Sequence, residues 1–152
     1  MRVLVPLAAS LALAAGASAA DWPTAFGVAE RGSLRVVSNV RLGPSGGEMK
    51  GVWLDDDRSC RDRRALRVSI QIDLVSADGK TTRVRRTRQA LVDNCAEGGP
   101  NFGFDLKPKA LGLGCASGRW RPGRYSMTTR TLHVASGVAA HASLYHQVTR
   151  RC

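Results

Sequence analysis

The chain has 152 residues, which leaves room for one domain of common size with a real hydrophobic core rather than for several domains. Its 23 lysine and arginine residues outnumber 12 aspartate and glutamate residues, so the formal charge is +11. Such a charge attracts polyanions: nucleic acid, acidic cell-wall polymers, anionic lipid or sulfated glycans. Nineteen of the basic residues are arginine, a bias that a GC-rich coding sequence also produces. Composition alone therefore leaves open whether the charge serves binding.

The first twenty residues have the features of a secretory signal peptide. A positive start at Met1-Arg2 precedes an apolar run from Val3 to Ala15, and small residues follow as far as Ala20. This apolar run is too short to cross a hydrocarbon core, which takes about 20 residues. We expect cleavage after Ala20 and a secreted, extracellular or periplasmic, single domain over residues 21–152. We expect no stable membrane insertion.

The first half of the mature sequence reads as strands separated by turns. Apolar residues alternate with polar ones most clearly from Leu66 to Leu74, the pattern of a strand with one buried face. A glycine-rich loop is predicted over Gly43–Gly47, and Asp78-Gly79 is typical of a tight hairpin turn. The predicted strands are Leu34–Leu42, Lys50–Leu54, Leu66–Leu74 and Lys80–Val92.

The second half continues the pattern. A short strand is predicted over Phe102–Leu106, and a last hairpin joins Arg124–Ala135 to Val138–Thr149 around Ser136-Gly137. With no helix predicted after residue 20, the total is about seven strands with short connections. This spacing predicts an all-β fold, an antiparallel β-sandwich.

The four cysteines all fall in the mature part of the chain. An exported protein with an even cysteine count favours disulfides, and the absence of close C-x-x-C pairs argues against zinc. Hairpins turning at Asp78-Gly79 and Ser136-Gly137 would favour the pairs Cys60–Cys95 and Cys115–Cys152 over the other two connectivities.

The segment Trp120–Tyr125 has the form W-x-P-G-x-Y. It resembles the turn that enters a late strand in secreted bacterial immunoglobulin-like β-sandwich domains. The resemblance implies an immunoglobulin-like fold, a turn at Pro122-Gly123, and a hydrogen bond from Tyr125 back to the corner. It also implies structural rather than ligand-stacking roles for Trp120 and Tyr125.

Arginines crowd the predicted hairpin around Asp78-Gly79. On the returning strand they occupy both faces, which is typical of an exposed edge strand protected by charge from pairing with another chain. The same side chains form a dense positive patch at one end and edge of the sheet, which is a candidate polyanion-binding site. Its residues are Arg61, Arg63, Arg64, Arg67, Arg83, Arg85, Arg86 and Arg88.

Two clusters contain residue types that bind metals. His133 and His141 are almost opposite in the predicted last hairpin, but His146 has the other parity and supplies no third ligand. The acidic run Asp55–Asp57 lacks the spacing of an EF-hand loop and is followed by arginines, which favours a self-paired loop. We therefore expect no metal and no cofactor.

Catalytic motifs are absent from the sequence. No G-x-S-x-G elbow occurs, and disulfides would leave no free cysteine as a nucleophile. We therefore expect no catalytic residue and a secreted, non-enzymatic binding protein, whose partner is an extracellular protein or a polyanion. The alternatives are a secreted inhibitor of an extracellular hydrolase, with a rigid loop between Cys95 and Cys115, and a cationic binder of polyanions or the cell envelope.

Overall fold

The computed structural model describes residues 22–94 and 102–152, and these form two antiparallel sheets of four strands each. The predicted signal peptide and its cleavage site lie outside the described residues. The first sheet has the order β1-β2-β3-β6 and the second β5-β4-β7-β8. The strands are β1 Thr24–Arg31, β2 Leu34–Gly43, β3 Gly46–Asp55, β4 Arg63–Val75, β5 Thr81–Asp93, β6 Phe102–Leu106, β7 Gly123–His133 and β8 Val138–Val148. The predicted all-β antiparallel sandwich is confirmed.

Strand β1 is an eighth strand, which the sequence pattern does not predict. Its outward residues Phe26 and Val28 are 71% and 49% exposed, whereas the small residues of the other parity face the second sheet. Gly27 lies so close to β8 that a Cβ atom there would overlap the carbonyl oxygen of His141. Because the close approach demands small inward residues, the strand lacks the polar-out, apolar-in alternation that identifies the others.

The predicted loop over Gly43–Gly47 is wrong in its length. Strands β2 and β3 pair as far as Gly43 and Gly46, which leaves only Pro44-Ser45 as the turn. Strand β3 therefore begins four residues before the predicted start at Lys50. The glycines are part of the hairpin because the chain must reverse within two residues there.

The core lies between the sheets and is built from the alternating positions of both. Strand β4 contributes the buried side chains predicted for it, from Leu66 to Leu74. Trp53 of β3 is 1% exposed, and its indole N–H donates a hydrogen bond to the carbonyl oxygen of Val92 at 2.9 Å. The hydroxyls of Ser38 and Thr129 lie 2.8 Å apart between the sheets, so these buried polar groups satisfy each other.

The two long hairpins differ in how well their register was predicted. Strands β4 and β5 pair around Asp78-Gly79 within one residue of the expected register, with Ile72 opposite Val84 and Gly79 at a φ of 81°. Their connection has five residues, 76–80, rather than the two of a tight hairpin turn. In the last hairpin a two-residue turn at Ser136-Gly137 would place Ala140 opposite His133, but the residue observed there is Val138, two positions earlier. The turn there has four residues rather than two, and it is closed by a hydrogen bond from the Gly137 N–H to the His133 carbonyl oxygen at 2.9 Å.

The disulfide between Cys115 and Cys152 is present, with the two Cα atoms 5.4 Å apart. Cys60 is not a free thiol. Its predicted partner, Cys95, lies outside the described residues.

The corner before β7 has the hydrogen bond that the W-x-P-G-x-Y resemblance implies. The hydroxyl of Tyr125 donates to the carbonyl oxygen of Arg121 at 2.8 Å, and burial raises the pKa of Tyr125 to about 12. The indole N–H of Trp120 donates to the carbonyl oxygen of Gly43 at 3.0 Å. Both rings are 2% exposed, so they hold the corner and are not available for stacking on a ligand.

Candidate anion-binding face

The predicted arginine patch lies on the β4–β5 hairpin, at the edge of the second sheet. Residues opposite each other on neighbouring antiparallel strands share a face. Arg83 and Arg85 lie opposite Asp73 and Gln71 and face outward, as does Arg67 of β4. Arg86 and Arg88 instead lie opposite the buried residues Ile70 and Val68, and therefore occupy the inward parity.

The remaining three predicted arginines are also divided. Arg63 faces outward, and its Nε lies 3.1 Å from a carboxylate oxygen of Asp93. Arg64 takes the inward parity opposite Val92, and Arg61 precedes β4 in the connecting segment. The structure thus places seven of the eight predicted residues on one hairpin, with Arg61 just before it, but does not gather them on one face.

Arg88 has a structural contact of its own. Its guanidinium donates to the carbonyl oxygen of Gly103 at 2.8 Å and lies 5.4 Å from the centre of the Phe102 ring. Since β5 and β6 are edge strands of different sheets, the contacts of Arg88 connect the two sheets at these edges. Arg86 donates to the neighbouring carbonyl oxygen of Arg85.

The outer face of the second sheet, which we call the cationic face, gains further arginines from β7. Strand β7 pairs with the other side of β4, and this places Arg130 opposite Ser69 and Arg124 opposite Val75. Neither residue belongs to the arginine patch predicted from the sequence. At the strand positions of this face the described carboxylates are Asp73 and Asp93. The arginines are Arg63, Arg67, Arg83, Arg85, Arg124 and Arg130.

Several of these guanidinium groups are held in place by neighbours. Arg83 binds both carboxylate oxygens of Asp73, at 2.7 and 3.0 Å. These bonds are the main reason that the pKa of Asp73 is lowered and the pKa of Arg83 is raised. Arg85 donates to the side-chain oxygen of Gln71 at 2.9 Å, which fixes its position, and its charge makes a smaller contribution to the lowered pKa of Asp73.

Arg130 lies beside a groove of about 320 Å³ on the cationic face. It makes no side-chain hydrogen bond or ion pair with another described residue, and neither does His141, which lies directly opposite on β8. The groove also includes Arg85 and the small hydroxyl residues Ser69, Thr87 and Thr128. Chemically, this groove offers hydrogen-bond donors and positive charge, with no carboxylate in its lining.

The outer face of the first sheet is different in charge. Each of its basic residues lies beside an acid: Arg35 is 2.7 Å from Glu30, while Arg41 and Lys50 are 3.0 and 3.1 Å from the shared carboxylate of Glu48. Asp105, opposite Glu48 on β6, makes the numbers of acids and bases on this face equal. Between these ion pairs the face is apolar, with Phe26 and Val28 exposed on β1. The excess positive charge among the described strands therefore belongs to the second sheet.

The predicted proximity of His133 and His141 is wrong. His133 is 6% exposed and packs against Trp53 with ring centres 5.1 Å apart, whereas His141 faces solvent on the other side of the sheet. The four-residue turn causes the difference because it moves the partner of His133 to Val138. No group of three or more potential ligands that could hold a metal occurs in residues 22–94 and 102–152.

The acidic run pairs with its own loop. Asp55 accepts a hydrogen bond from the Ser33 hydroxyl at 2.7 Å, the largest reason that its pKa is lowered. Arg58 lies 3.3 Å from Asp55 and 3.7 Å from Asp62. These carboxylates stabilise the loop between β3 and β4.

Burial gives His133 a testable pH dependence. Desolvation lowers its pKa, with a smaller effect from the charge of Arg64. The unfolded chain therefore binds a proton more readily, and stability should fall as the pH drops through about 6.5, the unfolded value, towards the lower folded pKa. We expect urea unfolding at pH 7.5 and 5 to show a smaller pH difference for His133→Gln than for the wild type. His141→Gln is the exposed control, and an unchanged difference in His133→Gln would contradict the assignment.

No protein-family model, curated protein or solved structure matches this chain. Within the described ranges there is no helix with the length and apolarity needed to cross a membrane. The assignment of function therefore depends on the geometry of the cationic face.

Proposed function

We propose that this protein is a secreted, non-enzymatic binding protein that holds a polyanion on its cationic face. The observation that carries the proposal is the difference between the two outer faces. Acids compensate the bases of the first sheet, while arginines exceed carboxylates on the second.

This difference weighs against a purely compositional origin of the charge. A bias introduced by the coding sequence would distribute unpaired arginines over both faces. Instead Arg124 and Arg130 are unpaired among the described residues and both lie on the second sheet. Protection of an edge strand against pairing with another chain also cannot explain Arg124 and Arg130, because β7 is an interior strand.

The shape of the face suits a long ligand. Four strands spaced about 4.8 Å apart make a surface roughly 15 Å wide, over which several arginines can contact one polymer at once. Its hydroxyl and amide side chains, such as Thr128 and Gln71, are polar without adding negative charge. Each arginine that contacts a charged group displaces counterions, so binding by such a face is salt-dependent.

The immunoglobulin-like relationship is part of the same proposal, supported by the hydrogen bond from Tyr125 to the Arg121 carbonyl oxygen. The inhibitor alternative has less support. Cys115 is bonded to Cys152, and the segment before it folds back, with Leu113 fully buried and its N–H donating to the Pro108 carbonyl oxygen.

Neutralising the face tests the proposal. We expect Arg67→Gln/Arg124→Gln to weaken binding to heparin, polyphosphate or duplex DNA, and to reduce the slope of log affinity against log salt by about 2 on DNA, roughly 0.9 for each lost phosphate contact. Fluorescence anisotropy between 50 and 200 mM salt measures both quantities.

The matched control is Arg35→Gln/Arg41→Gln, which removes the same charge from the first sheet. We expect a much smaller change in slope for it. Equal slopes in the two double variants, or no measurable binding of any polyanion by the wild type, would contradict the proposed function.

A further inference from the structure

Within the cationic face, we propose that the groove between Arg85 and Arg130 binds the sulfate or phosphate ester of an anionic sugar. The inference builds on the proposed function by naming the ligand group and the residues that hold it. The ligand would present a tetrahedral oxyanion to the groove and its sugar ring to the surface beside it.

The register determines how the two arginines approach the groove. Arg85 lies opposite Gln71, and Arg130 lies opposite Ser69, two residues along β4. Their Cα atoms are therefore separated by two strand spacings and two residues, roughly 12 Å. Two extended arginine side chains can span this distance and converge on one anion from opposite sides.

The floor of the groove supplies neutral donors. Ser69 of β4 lies opposite Thr87 on β5 and opposite Arg130 on β7. Thr128 of β7 lies opposite Gln71 of β4. Hydroxyl groups can donate to an oxyanion, whereas carboxylates would repel it and compete with it for the arginines. His141 opposite Arg130 adds an imidazole at the far rim.

Arg130 is the arginine lining this groove whose guanidinium makes no side-chain hydrogen bond or ion pair with another described residue. Arg83 already binds Asp73 through two hydrogen bonds, and Arg63 is paired with Asp93. Arg130 has no such partner among the described residues, so its planar fork of donors remains available for a bidentate contact. Gln71 orients Arg85 through a bond to one nitrogen only.

Donors on several sides favour a terminal ester over a phosphodiester. A sulfate or phosphate monoester offers three non-bridging oxygens, enough for both guanidinium groups and a hydroxyl. A phosphodiester of nucleic acid offers two and is flanked by the chain on both sides. The groove therefore fits a pendant group better than a backbone group.

An exposed aromatic ring near the groove fits the sugar. Tyr145 on β8 is 74% exposed and shares the outward parity of His141 and Ser143. It lies two residues beyond Ser143, which pairs with Thr128 at the groove. A tyrosine ring presents an apolar surface against which a sugar ring can pack while its hydroxyls stay hydrated.

Chemical-shift mapping of the protein with small probes tests the inference. We expect glucose 6-phosphate or glucose 6-sulfate to shift the amide signals of Ser69, Thr87 and Thr128, and to bind more tightly than inorganic phosphate or sulfate. Comparing the two sugar esters identifies which oxyanion is preferred. Arg130→Gln should weaken binding by about tenfold or more, because a hydrogen bond to a charged group is lost.

Three variants separate the parts of the site. Arg41→Gln removes the same charge from the outer face of the first sheet and should change affinity for the sugar esters less than twofold. Arg130→Lys keeps the charge but loses the fork and should remain weaker than the wild type. Tyr145→Ala should reduce the affinity for the sugar esters to that for the inorganic anions.

Several results would overturn the inference. Equal effects of Arg130→Gln and Arg41→Gln would show that the groove is not a site, and tighter binding of a dinucleotide would assign the face to nucleic acid. Loss of salt-dependent polymer binding in Arg67→Gln/Arg124→Gln, together with no response at the groove, would preserve the proposed function while overturning this inference.

Discussion

Replacing Trp53 by alanine is expected to lower the free energy of unfolding by roughly 3–5 kcal/mol. The side chain is 1% exposed and packs against His133, so its removal opens a large cavity between the sheets. The variant also leaves the carbonyl oxygen of Val92 without its hydrogen bond from the indole. Urea unfolding measures the loss, which is a large part of the 5–15 kcal/mol typical of a whole domain.

Two further variants identify the cause. Leu54→Ala, at the next position but on the outer face, should cost clearly less than Trp53→Ala because Leu54 is only half-buried and its removal opens no cavity between the sheets. Trp53→Phe keeps much of the apolar volume and should cost an intermediate amount. Equal costs at Trp53 and Leu54 would contradict the assignment of the two faces of β3.

The strands that could be predicted are those with one buried and one hydrated face. Strand β4 alternates cleanly, and its predicted core from Leu66 to Leu74 is the observed one. Strand β1 could not be predicted from the sequence because its large apolar residues point outward and its small ones face β8. A local pattern cannot contain this information, since the need for Gly27 arises from a strand more than a hundred residues away.

The candidate face was predicted in part for the same reason. Alternation alone separates Arg83 and Arg85 from Arg86 and Arg88, and this separation is observed. Arg130 occupies the polar parity of β7, a signal that was available in the sequence. What could not be predicted is that β7 pairs with β4, because sheet order depends on long-range packing and brings Arg130 next to Ser69.

The groups that contact each arginine also could not be identified from the sequence pattern alone. Nothing near Arg83 in the chain identifies Asp73 as its bidentate partner except the hairpin register, which was predicted closely enough to bring them together. For Arg88 the partners are the Gly103 carbonyl oxygen and the Phe102 ring of the other sheet. A patch defined by sequence proximity therefore combined structural arginines with available ones.

Removing the disulfide between Cys115 and Cys152 is expected to cost up to about 4 kcal/mol, because the bond closes a loop with a sequence separation of 37 and restricts the unfolded chain. Cys115 is 6% exposed, while residues 149–152 follow the end of β8 and are exposed, so the bond attaches an exposed segment to the core. Cys115→Ser/Cys152→Ser should show the loss in urea unfolding, with the surface change Ser143→Ala as a control near zero. A loss below about 1 kcal/mol would show that the bond does not restrict the unfolded chain as this model requires.

The same bond gives a test of export. Protein made without residues 1–20 in a reducing cytoplasm should contain the thiols of Cys115 and Cys152 and unfold at a lower urea concentration than protein recovered from an oxidising compartment. Oxidation of the purified cytoplasmic form should restore the higher midpoint. The intact mass of the exported form should equal that of a chain beginning at Asp21, and retention of residues 1–20 would contradict the predicted cleavage. A lower midpoint for the reduced protein and a mature N-terminus at Asp21 are the results expected of an exported chain that folds in an oxidising compartment. The cationic face would then be formed in the compartment where extracellular polyanions occur.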